Sequence, residues 1–200
     1  ASAACSFEIC GNGKDDDGDG LVDSDDPDCS LSSTDCYIIS DGQSTGNLTP
    51  DTLFSINPTT GLTTVIGPTG TYNVESMAID TVNKIMYAMT RDSLMIINPT
   101  TGQSHYVGRS RGVSLSGSAG NLQTYDLDGL TYDYTNQILW ATERRSDEAG
   151  DDFLPDDLLI QIDPATGLVI ENAFGANVDY LVVDTPENDL DDIAMASDGT

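Results

Sequence analysis

Basic side chains are scarce in this chain. Seven lysines and arginines stand against 34 acids, for a formal net charge of −27 over 200 residues. Nucleic acid and anionic lipid are therefore excluded as expected partners, since their phosphates would be repelled. Such a chain suits a medium that supplies divalent cations. Histidine occurs once, as His105, and reads as a surface residue of an outer strand. No Gly-x-Ser-x-Gly elbow, Cys–His pair or phosphate-cradling glycine loop is present, so the common hydrolytic and nucleotide chemistries lack their residues. No apolar run approaches the roughly 20 residues that span a bilayer as a helix, so no membrane span is expected.

Cysteine is missing after residue 36. All four, Cys5, Cys10, Cys29 and Cys36, bracket a short acidic segment with almost no apolar core. An even, clustered set in that setting reads as two disulfides formed in an oxidising compartment. Three pairings are open. The expected one is Cys10–Cys29 clasping the segment, with Cys5–Cys36 tying it to the repeats beyond. Zinc is the rival, but it would leave the carboxylates idle and the paired short Cys intervals are lacking. The opening Ala1-Ser2-Ala3-Ala4 looks like the end left by signal cleavage. Ser2-Ala3-Ala4-Cys5 also resembles a lipoprotein cleavage box, although lipidation would remove residues 1–4. Either way the chain is expected to be exported, to an extracellular or cell-surface location.

The acidic segment, Asp15 to Asp28, holds eight aspartates in 14 residues. With Asp15 at position 1, Asp17 and Asp19 fall at 3 and 5, Gly20 at 6, Leu21 at 7, Asp23 at 9 and Asp26 at 12. That is the register of a twelve-residue calcium loop, with Asp in place of the final Glu. Alternate side chains would converge on the ion, Leu21 would lend its carbonyl, and Gly20 would supply a turn. Val22 would point inward to a small apolar contact. The alternative is a solvated acidic linker, self-repelling without a cation. Gly11, Asn12 and Gly13 upstream, and Pro27 downstream, deny the loop its flanking helices.

The stretch CGNGKDDDGDGLVDSDDPDC, Cys10 to Cys29, resembles the type 3 thrombospondin repeat, the dockerin loop and the acidic metal-binding motif of secreted bacterial proteins. In those modules the ion is structural, and the resemblance implies a structural calcium here.

After Cys36 a unit repeats, anchored by INPTTG at 56–61 and 97–102 and by IDPATG at 162–167. Proline presets φ and glycine accepts a positive φ, so each anchor predicts a tight hairpin between two strands. A second strand pair also recurs: SMAID (76–80) with KIMYAMT (84–90), and GLTYD (129–133) with QILWATE (137–143). CYIIS (36–40) matches the latter member and DIAMA (192–196) the former. Four strands, a to d, per unit predict an all-β fold of β-propeller blades. A β-sandwich with coincidental turns is the competing fold. The repeats resemble the NHL-like and quinoprotein-like propellers of secreted bacterial proteins, a resemblance that speaks to fold and hardly to function.

The expected organisation is a disulfide-bonded calcium-loop module at 1–36 and about three blades at 37–200, incomplete at both ends. Three blades do not close a propeller, which typically needs four to eight. Either the sequence is part of a longer chain, or copies self-associate, with 192–196 of one adding to the blade that starts at Tyr37 in another.

The d–a and b–c connections should share one face, and the long ones gather there: 40–52, 109–128, 144–157 and 174–191. Binding is expected on that face. Glu75, Asp128 and Asp191 align at the entry to strand a. Propeller lactonases and related hydrolases hold calcium with carboxylates near the channel mouth, which gives an enzymatic alternative; a turn-capping blade consensus is the plainer account. Arg144 and Arg145 could grip an anionic sugar or carboxylate, or else offset Asp147, Glu148, Asp151 and Asp152. Tyr87 and Trp140 share a strand-b position and read as inter-blade packing. Asn47-Leu48-Thr49 fits an N-glycan sequon, and Asp51-Thr52-Leu53, Asp80-Thr81-Val82 and Asp92-Ser93-Leu94 resemble acceptor triplets for bacterial O-glycans. The expected function is non-enzymatic: an extracellular, calcium-stabilised propeller acting as a surface, adhesive or fibre module. A calcium-dependent hydrolase or lyase, and a lectin that binds glycans through the long loops, are the alternatives.

Overall fold

Three copies of the Asx-Pro-x-Thr-Gly turn organise the strands. In each, the Asx carboxyl or amide oxygen accepts backbone N–H groups two or three residues on. Asn57 takes Thr59 and Thr60, Asn98 takes Thr100 and Thr101, and Asp163 takes Ala165. The turn closes with the glycine N–H donating to the Asx carbonyl at 2.8 Å in all three copies. Gly61, Gly102 and Gly167 sit at φ of 71°, 81° and 68°, a left-handed conformation that explains the recurrent glycine. A second turn also repeats. Asp80 and Asp133 each accept two backbone N–H groups and the amide of Asn83 or Asn136.

The structure, a computed structural model, describes residues 10–16, 20–26, 29, 36–40, 43–44, 47–145, 157–183, 190 and 192–195. The architecture is all-β. The only helical element among the described residues is a 3-10 turn at Asp23–Asp25. Three antiparallel sheets have the sequential strand order of propeller blades. The first is β1 (Cys36–Ser40), β4 (Thr52–Ile56) and β5 (Thr63–Pro68); β2 (Gln43–Ser44) and β3 (Asn47–Leu48) form a separate short ribbon. The second is β6 (Val74–Asp80), β7 (Ile85–Thr90), β8 (Ser93–Ile97) and β9 (Ser104–Arg109). Next comes a two-stranded hairpin, β10 (Ser114–Gly117) and β11 (Gly120–Gln123). The last sheet is β12 (Leu127–Asp133), β13 (Ile138–Glu143), β14 (Leu158–Ile162) and β15 (Tyr180–Val182). A partial propeller is the fold, and among the described residues its first sheet holds three strands.

Two compact units share these sheets: 1–74 with 79–87 and 96–105, and 75–78 with 88–95 and 106–200. In the first, the acidic hook lies against β7, where a Cβ on Gly11 would overlap the buried Ile85 side chain. There too, a Cβ on Gly67 at the end of β5 would overlap the Thr101 carbonyl of the next repeat's turn. The second unit repeats the arrangement, with Gly108 of β9 against Thr166 and Gly167. These glycines are required by the close approach of strand d to the following turn. The core of the second unit holds Leu127, Leu139, Leu158, Ile160, Ile162 and Tyr180, all fully buried.

Three expectations need correction. The 174–191 stretch is not one loop, because β15 returns to pair with β14 from Leu158↔Val182 to Ile160↔Tyr180. Strand d is thereby split, its first part being the isolated Ile162↔Val169 bridge. The 109–128 connection likewise contains the β10–β11 hairpin. Residues 192–195 carry no strand hydrogen bonds; they lie against β12, with Met195 N–H donating to Thr131 Oγ1 at 3.2 Å.

Candidate functional site

The hook is clasped by a Cys10–Cys29 disulfide, the favoured one of the three open pairings. Cys36 is a free, exposed thiol, so the expected Cys5–Cys36 bridge is not formed; Cys5 lies outside the described residues. Within the hook, Asp23 adopts φ 47° and turns its carboxylate onto the backbone of the Gly11–Gly13 segment. Its Oδ1 accepts the Gly11 and Asn12 N–H groups and its Oδ2 the Gly13 N–H, at 2.5–2.9 Å. Both oxygens of this expected ligand therefore hold the Gly11–Gly13 segment. Asp15 Oδ2 accepts the Gly20 N–H at 3.1 Å, and Asp26 is buried at 2% exposure. Gly20 has φ 95° with no atom within 4 Å of where a Cβ would stand. Its role is thus conformational, not steric. Leu21 is exposed, and so is Val22, at 37%, where an inward contact was expected. Asp17 and Asp19 lie outside the described residues, and among those described no three His, Cys, Asp or Glu side chains converge on a metal position. The remaining donor set is all oxygen, which fits a hard cation such as calcium.

A second charged site forms in the unit containing 106–200. Glu75 and Asp128 open β6 and β12, and Arg91 and Arg144 follow β7 and β13. Strand pairing brings each acid to the arginine of its own sheet. Arg91 Nε lies 3.5 Å from Glu75 Oε1, and Arg144 Nε lies 3.2 Å from Asp128 Oδ2. Asp126 joins the two pairs, 3.1 Å from Arg91 Nε and 3.6 Å from Arg144 Nη2. The recurrent acid is therefore half of a recurrent ion pair, and Asp191 lies outside the described residues. Arg145 Nη1 donates to Glu143 Oε1 at 2.9 Å and to the Gln123 carbonyl at 3.1 Å. The acids expected to offset these arginines, at 147, 148, 151 and 152, lie outside the described residues. Glu75, Asp128, Arg144 and Arg145 were legible as candidates; Asp126, Glu143 and Arg91 were not. The constant 16-residue offset from Glu75 to Arg91 and from Asp128 to Arg144 was the available signal.

Glu143 is fully buried at the end of β13. Its Oε1 accepts the Tyr125 N–H at 2.8 Å and the Arg145 bond, while its Oε2 has no hydrogen-bond partner. Burial pushes its carboxyl up to about 7, against the pull of Arg145 and the Tyr125 N–H; Asp126 adds to the rise. The folded protein then keeps a proton that the unfolded chain releases near 4.5. Stability is expected to fall as pH rises from that value to about 7 and to level off above it. Glu143→Gln should flatten this part of the urea-unfolding pH profile, a difference of up to about 3 kcal/mol.

Other candidates have structural surroundings. Trp140 donates its indole N–H to Asp133 Oδ2 at 3.2 Å and its ring lies tilted against Phe174, centroids 5.7 Å apart, so it packs within its own sheet's unit. Tyr87 is buried. Of the glycan-type triplets, Asp80 is a buried turn anchor and Asp51 is buried with its carboxylate accepting the Val74 N–H. No helix of the described residues is long and apolar enough to cross a membrane.

No family model matches the chain, and no curated protein matches it. Among solved structures it is similar to the extracellular domain of a putative hybrid two component system from B. thetaiotaomicron, at 18% identity and a TM-score of 0.37. The match covers 63% of this chain, which spans only 15% of that one.

Proposed function

We propose that this chain is an exported, non-enzymatic surface module in which a structural calcium orders the N-terminal hook of a partial propeller that works by adhesion. One observation carries the choice of binding over catalysis. Glu75 and Asp128, the carboxylates on which a calcium-dependent hydrolase would rely, are each paired with an arginine of their own sheet. A guanidinium 3.2–3.5 Å away opposes a divalent cation at that position. Self-assembly by strand addition is the weaker form of the proposal, because 192–195 is engaged with β12 of its own chain. The Cys10–Cys29 clasp favours an oxidising, extracellular setting.

Calcium would be held by Asp15, Asp17, Asp19 and Asp26 with the Leu21 carbonyl, while Asp23 fixes the loop's entry through its amide bonds. Extracellular calcium modules bind with Kd of about 0.1–1 mM. In 10 mM calcium, a ten- to hundredfold excess over such a Kd, the ion adds about 1.4–2.7 kcal/mol, or roughly 3–10 °C in Tm for a chain of this size. Melting in 10 mM calcium and in chelator tests this. Asp17→Asn with Asp19→Asn should abolish the shift, and equal melting temperatures for the native protein in both buffers would overturn the proposal.

A further inference from the structure

The β10–β11 hairpin lies in the longest d–a connection and is clamped to the last sheet. Ser116 N–H donates to Asp179 Oδ2 at 2.7 Å, and Asp179 N–H returns to the Ser116 carbonyl at 2.8 Å. The buried Tyr180 hydroxyl donates to the Gly120 carbonyl at 2.9 Å and accepts the Ala119 N–H at 3.1 Å. A Cβ on Gly117 would stand 2.5 Å from the Tyr180 ring, so the hairpin rests directly on that side chain. The clamp spans 60 or more residues of sequence and holds the hairpin rigidly before any ligand arrives.

Beside the hairpin runs a groove of about 700 Å³, within the range of small-ligand sites. The cross-strand pair Leu115↔Leu122 lines it, as do the amide-bearing residues Asn121 and Gln123 at the alternate positions of β11. Tyr125 and Arg145 line it as well. Among the described residues that line it none is acidic, in a chain with 34 acids. Tyr125 is 56% exposed. Arg111, which does not line the groove, places its guanidinium 4.7 Å from the ring centroid and orients it. Arg145 is held by Glu143 and the Gln123 carbonyl, with 11% of its side chain exposed.

These features select a ligand class. An exposed tyrosine ring offers an apolar plane with a polar edge, suited to the face of a pyranose. Amides supply both donors and acceptors for hydroxyls. A fixed guanidinium favours a carboxylate over a neutral group. At 0.15 M salt the Debye length is about 8 Å, so distant carboxylates are screened, while Glu143, 2.9 Å from Arg145 Nη1, offsets part of the guanidinium charge and fixes its direction. We propose that the groove binds an acidic saccharide, its ring stacked on Tyr125 and its carboxylate directed to Arg145. The inference rests on the chain being a binding module and is independent of its calcium.

Calorimetric titration of the full chain with trigalacturonate, and with neutral maltotriose, at 0.15 M salt in chelator tests it. The acidic trisaccharide is expected to bind at least tenfold more tightly than the neutral one. Tyr125→Ala should weaken it at least tenfold without lowering Tm. Arg145→Gln combined with Glu143→Gln, which strands no buried charge, should erase the preference for the acid. Absence of binding by either sugar, equal affinities for the two, or binding undiminished in Tyr125→Ala would overturn the proposal. The chelator keeps this result separate from the calcium-dependent melting, so either can fail alone.

Discussion

Arg144→Met is expected to destabilise the protein by about 3–5 kcal/mol, the usual cost of removing one partner from a buried charge pair. Arg144 is 20% exposed and faces Asp126 and Asp128, whose side chains are 10% and 8% exposed. Methionine keeps the apolar stem but removes the charge, so two acids would be left close together with little water. Arg91 offers little rescue. It lies 3.1 Å from Asp126 but is 50% exposed, and pairs that open to solvent contribute about 0–1 kcal/mol. Arg91→Met should accordingly shift the urea midpoint by much less. Adding Asp128→Asn to Arg144→Met should recover part of the loss, because the amide removes one stranded charge. A loss below about 1 kcal/mol for Arg144→Met would mean that water screens the cluster.

Gly108→Val should cost about 3 kcal/mol, at the upper end for overpacking. The new Cβ would overlap the Thr166 carbonyl oxygen and lie 2.8 Å from the Thr166 carbonyl carbon and 3.1 Å from Gly167 Cα. All three are backbone atoms, which cannot swing aside as a side chain does. Gly167 is equally constrained, since its own Cβ would stand 2.8 Å from Gly108 Cα. Gly61→Ala is the control. Unlike Gly108 it has a positive φ, 71°, and no atom within 4 Å, so only the left-handed strain of roughly 1–2 kcal/mol is expected. Urea unfolding of both variants separates the two causes, and equal losses would refute the steric account.

The hook illustrates how far a motif reaches. Its disulfide and the positive φ of Gly20 follow from residues within one short segment. Asp23 does not behave as its ligand position implies, because three backbone N–H groups ten to twelve residues upstream compete for its oxygens. The alignment of Glu75 with Asp128 was visible as a repeat, yet its meaning was not. An acid at a strand entry is compatible with a cation or with an arginine, and only the partner across the sheet decides. Glu143 aligns with Thr90 in the preceding repeat, so periodicity hides it.

By itself the sequence determined the all-β class, the four-strand repeat and the hairpin turns. Each depends on hydrogen bonds or backbone torsions confined to a few neighbouring residues, or on a spacing that recurs. Tertiary structure alone decided that recurrent acids meet arginines, that Glu143 loses water, and that the β10–β11 hairpin is clamped beside a groove whose described lining residues include no acid. Those outcomes depend on strand register and on contacts between residues 16 to 63 apart. Side-chain ionisation and ligand shape are set by a residue's neighbours in space, which chain order does not state.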